Sequence, residues 1–337
     1  MKNSFVFLFS LFLFSACKKE DKEPMFEGFQ APSNFPAVVY KTGNNPVTKE
    51  GFMLGKKIFY DGRLSRDGSI ACADCHISFS AFSHPGHDVS HGIEGKLGTR
   101  NSPPIQNIAW QPFFFWDGGV FDLDLFSINP IQNPVEMDES IGNVVNKLKA
   151  DPTYVAAFKA AFGTEEVTGT RVFLALSQFM CMLISNDSKY DQMLAGKASF
   201  TTAENNGLQL FRQKCQSCHS GILFTDHSFK NNGLRTSNDK GRSLITLRAE
   251  DDFCFKVPSL RNVEKTAPYM HDGRFETLEQ VLSHYDSGVQ TSATLDTILQ
   301  QNSRLGIALS ATEKTEIIAF LKTLTDENFI KNPLFAQ

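Results

Sequence analysis

The sequence is short of positive charge, of long apolar runs and of tryptophan. Each shortage removes a class of protein. Lys and Arg number 33 against 37 Asp and Glu, a net charge of −4 over 337 residues, so no basic surface points to nucleic acid. The one sustained apolar run, Phe5 to Phe14, is too short and wrongly flanked to span a bilayer. Alternating, strand-like patterning is weak throughout, which argues against a β-rich architecture. Only two tryptophans occur. Phenylalanine, by contrast, is abundant at 31, with many copies near the cysteine motifs described below. That distribution suits pockets for a large, flat, apolar ligand as well as an ordinary core.

The apolar run belongs to an export signal. One lysine precedes it, and the small residues Ser15 and Ala16 lead into Cys17. A cysteine in that place resembles a bacterial lipoprotein signal, which implies cleavage after residue 16 and lipidation of Cys17. The charged, Pro-containing stretch over 17–45 then reads as a flexible tether. The expected location is the periplasm or cell envelope, with membrane contact through the lipid anchor only.

Seven cysteines are present, and in an exported protein disulfides come first to mind. Four of the seven instead form two copies of one pattern, Cys72-Ala-Asp-Cys75-His76 and Cys215-Gln-Ser-Cys218-His219. A zinc site takes four ligands, whereas CxxCH supplies three that compete for geometry. Covalent haem attachment needs this spacing, with two thiols for the vinyl groups and the next imidazole beneath the iron. Two covalent c-type haems are therefore expected, with His76 and His219 as iron ligands.

The flanking sequence is mostly helical. A helix starting at Thr201 or Thr202, with Glu204 as capping partner, runs into the second motif. Residues 50–76 repeat the logic: helical spacing, a loop, then CxxCH. The stretch 170–196 reads as one long amphipathic helix ending at Gly196 and burying Cys181. The stretch 309–330 reads as the closing helix, with Ser310 as N-cap. The fold class is mainly α, with two tandem cytochrome c-like haem domains, 46–195 and 196–337, and long irregular loops around the porphyrins.

Several segments in order, "GTRNSPPIQN", "FFFWDGG", "INPIQNPVEM", the second CxxCH and "FKVPSLRNVEKTAPYMHDGRFETLEQVLSHY", resemble the bacterial dihaem cytochrome c peroxidase family, including its MauG-type branch. The resemblance covers nearly everything after the tether. It implies that the N-terminal haem is peroxidatic and that the C-terminal haem accepts electrons. Glu136 matches the family's distal acid–base carboxylate, and Trp116 the tryptophan that relays electrons between the haems. It also implies a calcium ion held by oxygen donors at Asn101, Thr266 and Pro268, chemistry that suits this ion.

Three departures qualify the match. The position of the removable histidine that caps the first iron in the peroxidase branch falls on Ile93, which cannot ligate. His84, His87 and His91 lie close by, and His91 is the nearest alternative. The first haem is therefore expected to be open. A glutamine common in the distal pocket is replaced by Phe126, making the pocket more apolar. At the second haem, the position fourteen after His271 carries Tyr285, the MauG-type arrangement, where the peroxidase branch has methionine. Met270 competes for that role, and His271 is counted with both in the second haem site. A tyrosinate ligand favours ferric and higher states, unlike a thioether.

The function implied is reduction of hydrogen peroxide to water with electrons from a small cytochrome c or cupredoxin. The alternative is a MauG-type oxidase that stores two oxidising equivalents and modifies a protein or small-molecule substrate. A homodimer is left open.

Overall fold

Thr48 opens the first helix of the fold. Its side chain accepts from the Gly51 backbone N–H, and Lys49–Phe59 follows with Phe52, Leu54, Ile58 and Phe59 buried. These and all further positions come from a computed structural model that describes residues 26–234, 238–301 and 303–337. The export signal and Cys17 lie outside the described residues.

The Gly169–Cys181 helix packs against Lys49–Phe59. The approach is close because Gly55 has no side chain: a Cβ there would stand 1.9 Å from the Ala175 carbonyl oxygen. The second half repeats the device. The Thr202–Lys214 helix packs on Ala311–Lys322, and a Cβ on Gly207 would stand 1.9 Å from the Glu316 carbonyl oxygen. Each glycine thus seats the helix that leads toward a CxxCH motif.

Two apolar cores result. The first gathers Phe52, Phe59, Phe82, Tyr154, Phe158 and Phe179, with Cys181 buried among them. The second gathers Leu208, Phe211, Phe224, Ile317, Phe320 and Leu324. The chain end returns to the first core: Phe329, Ile330 and Phe335 belong to it, and the Tyr60 hydroxyl donates to the Phe335 carbonyl at 2.7 Å. Regular sheet among the described residues is one antiparallel pair, Phe229–Lys230 with Phe255–Lys256.

Local capping follows the sequence. Thr201 with Glu204, and Ser310 with Glu313, form reciprocal capping boxes. Two helices are shorter than their periodicity predicts. The 170–196 stretch breaks after Cys181, and a second helix, Lys189–Leu194, begins at a Ser188–Asp191 capping box. Asn107 holds the break, donating to the Ser185 carbonyl at 3.0 Å and accepting from its N–H at 2.9 Å. The closing stretch likewise ends at Lys322, and Glu327–Ile330 is a separate turn capped by Asp326. Apolar spacing persists across both breaks, so periodicity alone runs through them.

A buried ion pair ties the break to the second half. Arg261 donates to both Asp191 carboxylate oxygens at 2.8 Å, and its guanidinium lies 4.9 Å from the Phe35 ring centre. Gln106 donates to the Arg261 carbonyl at 2.9 Å. Removing one partner strands the other charge, so Asp191→Leu is expected to cost about 3–5 kcal/mol in urea unfolding of the haem-loaded chain. Asp191→Leu with Arg261→Met should recover most of that loss. A single variant as stable as the parent would show that the pair holds nothing.

Candidate functional site

Each CxxCH motif opens on its own cavity. Cys72–Cys75 is a single helical turn, which puts both thiols on one side, three residues apart. They line the first cavity with His76, Phe59, Met137 and Met180. Cys215, Cys218 and His219 line the second, with Phe211, Leu282 and Leu321. With their mouths included, the cavities enclose about 2470 and 1570 Å³ of free space.

The two imidazoles are prepared alike. His76 Nδ1 lies 2.8 Å from the Phe82 carbonyl oxygen, and His219 Nδ1 lies 3.1 Å from that of Phe224. A carbonyl accepts only, so each Nδ1 carries the proton and each Nε2 keeps a lone pair. Burial lowers both pKa values and keeps the rings neutral, as a metal ligand must be. Phe82 and Phe224 present these carbonyls from φ of 62° and 53°, a costly conformation for bulky residues. The four thiols are free, and burial pushes Cys72 and Cys215 up to about 12. Unpaired thiols, a neutral imidazole and apolar walls fit a thioether-bound haem in each cavity.

Trp116 lines both cavities, and its Nε1 donates to the Asn101 carbonyl at 2.9 Å. His271 also lines both. It stacks on Phe255 at 3.6 Å between ring centres, and its buried Nε2 has no hydrogen-bond partner among the described residues. A buried, unpartnered ring nitrogen between two cavities fits a group not supplied by the protein. Burial pushes the His271 imidazole down to about 4.

Glu136 lines the first cavity and not the second. Burial raises its pKa above the ordinary glutamate value, while Ser90, whose hydroxyl donates to Oε1 at 3.2 Å, opposes the rise. Phe126 shares that wall. Ile93 is fully buried and is not part of the wall; its N–H donates to the Glu136 carbonyl at 2.8 Å. The wall position belongs to His91, whose ring meets His87 edge-on at 4.3 Å. His87 in turn stacks on His84 at 4.0 Å.

In the second cavity, Tyr285 and Met270 both reach the wall. Tyr285 sits in a π-helical turn, His284–Gly288, and burial pushes its phenol up to about 12 while Asn232 opposes the rise. The Asn232 amide lies 3.4 Å from Met270 Sδ, and Met270 adopts a φ of 75°. Asn232 therefore serves both ligand candidates. Asn101, Thr266 and Pro268 also line this cavity, with Asn101 Nδ2 donating to the His87 and Asp88 carbonyls at 3.2 and 3.1 Å. Sequence reasoning missed Asn232 and Lys256, which no spacing announces.

Paired thiol–imidazole cavities on either side of one indole define a two-haem electron-transfer protein of the c type. The comparisons make the class specific. The family model for di-haem cytochrome c peroxidase matches residues 49–199. The chain is 38% identical to the methylamine utilization protein MauG of Methylorubrum extorquens over 299 residues, 84% of this chain and 80% of that one. It is 36% identical to the cytochrome c551 peroxidase of Nitrosomonas europaea over 290 residues, 83% and 82% of the two chains. Among solved structures, a MauG-like protein associated with microbial copper homeostasis superposes with a TM-score of 0.83 at 33% identity, covering 91% of this chain and 98% of that one. The chain belongs to the di-haem cytochrome c peroxidase family, and it is an oxidoreductase carrying two c-type haems. No helix of the described residues is long and apolar enough to cross a membrane.

Proposed function

We propose that the chain reduces hydrogen peroxide to water at its first haem, with electrons from a small redox protein entering at the second. The observation that carries this reading is the shared wall: Trp116 lines both cavities, while Glu136 lines the first alone. Cys72, Cys75 and His76 would hold the first haem, and Cys215, Cys218 and His219 the second. Bound haem supplies the one-electron chemistry and an iron able to take peroxide. Two electrons and two protons turn one peroxide into two waters. The Glu136 carboxylate would accept a proton from one peroxide oxygen and return it to the other, so that the departing oxygen would leave as water. Trp116 bridges the cavities for electrons. Asn101, Thr266 and Pro268 are the proposed calcium donors.

A second reading is a MauG-type oxidase, favoured by Tyr285 on the wall of the second cavity. It shares the haem sites, Glu136 and Trp116, and differs in what the oxidising equivalents act upon. In either case the chain is read as two haem domains meeting near residue 195, exported and lipidated at Cys17.

The test begins with mass. The mature chain is expected to carry two haem additions, and Cys72→Ser/Cys75→Ser one. Supplied with a reduced small cytochrome c, the parent should oxidise two donor molecules per peroxide. An apo chain binding stoichiometric zinc would refute the haem sites. Two haems without donor oxidation would transfer the reading to the oxidase.

A further inference from the structure

Lys256 carries a cation whose side-chain hydrogen-bond partners are both uncharged. Its Nζ donates to Gln111 Oε1 at 2.6 Å and to the Phe113 carbonyl at 2.8 Å. Both acceptors are neutral. No carboxylate among the described residues pairs with it. Asp117, the acidic group whose field reaches it, accepts from Arg100 Nη1 at 2.5 Å and from the Gly119 N–H at 2.9 Å. Arg100 is held on its other side by Asp239. The remaining ions nearby are also committed. Arg242 donates to the Asp117 and Gly118 carbonyls, and Lys230 pairs with Asp296 at 2.8 Å.

The position of this charge matters more than its cost. Lys256 lines the second cavity and also a small inner cavity, and Trp116 lines both of these as well. The Lys256 N–H donates to the Trp116 carbonyl at 2.7 Å, so the two residues are tied by their backbones. Gln106 borders the inner cavity too, with its buried Oε1 unpartnered among the described residues. His227, on the same wall, is pushed down to about 4 by burial and carries no charge at neutral pH to balance the lysine. Burial likewise pushes the Lys256 ammonium down to about 7, the mark of a charge held without compensation.

We infer that Lys256 is a potential-setting residue: its unpaired ammonium, fixed beside Trp116 on the wall of the second cavity, opposes electron removal from the second haem and the indole. In a medium of low dielectric an added positive charge favours the reduced state of a neighbouring centre. The lysine then keeps electrons available at the entry haem and makes the indole a place that oxidising equivalents cross, not one where they rest. The inference rests on the haem assignment at Cys215, Cys218 and His219.

The experiment is spectroelectrochemical titration of the haem-loaded parent, Lys256→Met, Lys256→Gln and Lys256→Arg at pH 6, after haem counting by mass. The second haem is identified as the one retained in Cys72→Ser/Cys75→Ser. Lys256→Met and Lys256→Gln are expected to lower its midpoint potential, whereas Lys256→Arg, still charged, keeps it near the parent value. A Lys256→Met midpoint equal to the parent's overturns the inference. So does a Lys256→Arg midpoint lowered as far as that of Lys256→Met, since packing would then be the cause. A parent with no haem on Cys215 and Cys218 would sink the haem assignment itself, and this inference with it.

Discussion

Glu136→Gln is expected to slow peroxide consumption by ~10²-fold or more, with haem content and the reduced spectrum unchanged. The amide keeps the volume and can still accept from Ser90, whose hydroxyl reaches Glu136 Oε1 at 3.2 Å. What it loses is a group able to take a proton and return it. The pH dependence gives a second reading of the same site. Burial raises the Glu136 pKa, so the base form is lost as pH falls through a value above the ordinary glutamate range. The parent rate should therefore decline on the acid side, and in Glu136→Gln that limb should vanish. Ser90→Ala removes a bond that favours the carboxylate, so the acid limb should move to higher pH. Stopped-flow decay of peroxide measures all three. Parent-like rates in Glu136→Gln would remove Glu136 from the chemistry.

The parts of this molecule legible in sequence are those fixed by short-range chemistry. CxxCH spacing is set by the porphyrin's own dimensions, and the capping boxes at Thr201 and Ser310 need only a side chain three residues from its partner. The breaks in the helices were not legible, because Asn107 imposes the one after Cys181 from a distant point in the chain. Lys256 was hidden for the same reason: it sits inside a quoted motif, but its meaning depends on Asp117 being taken by Arg100. The loop before Glu136 shows a finer limit. Counting from Asn101 places Ile93 at the capping position, yet Ile93 turns inward and His91 faces the cavity. Gly92 seats that loop, since a Cβ there would stand 2.2 Å from the Val135 carbonyl oxygen. A two-residue offset decides which side chain faces the cavity, and sequence counting does not resolve it.

That offset makes the resting state the sharpest test of the site. With the first haem open, the fully oxidised protein is expected to show a high-spin signal and to react with peroxide before any reduction of the second haem. The geometry behind this expectation is the engagement of the His91 ring, which meets His87 edge-on at 4.3 Å. A histidine ring packed against His87 stays with its histidine neighbours and leaves the iron open. If His91 caps the iron after all, the oxidised protein will be low-spin at both haems and inert until half-reduced, and His91→Ala will create the high-spin signal. With an open haem, His91→Ala changes the spectrum little. Tyr285→Met, measured alongside, addresses the second iron. A thioether favours the reduced state where a phenolate favours the oxidised one, so the substitution should raise the second haem's potential markedly if Tyr285 is the ligand. An unchanged potential would hand the role to Met270, which lines the same cavity and shares Asn232 with Tyr285. An open first haem with a tyrosine-bound second would leave peroxide entry unguarded and the entry haem poised low. Under that arrangement the electron donor, not reductive activation, sets the pace of turnover.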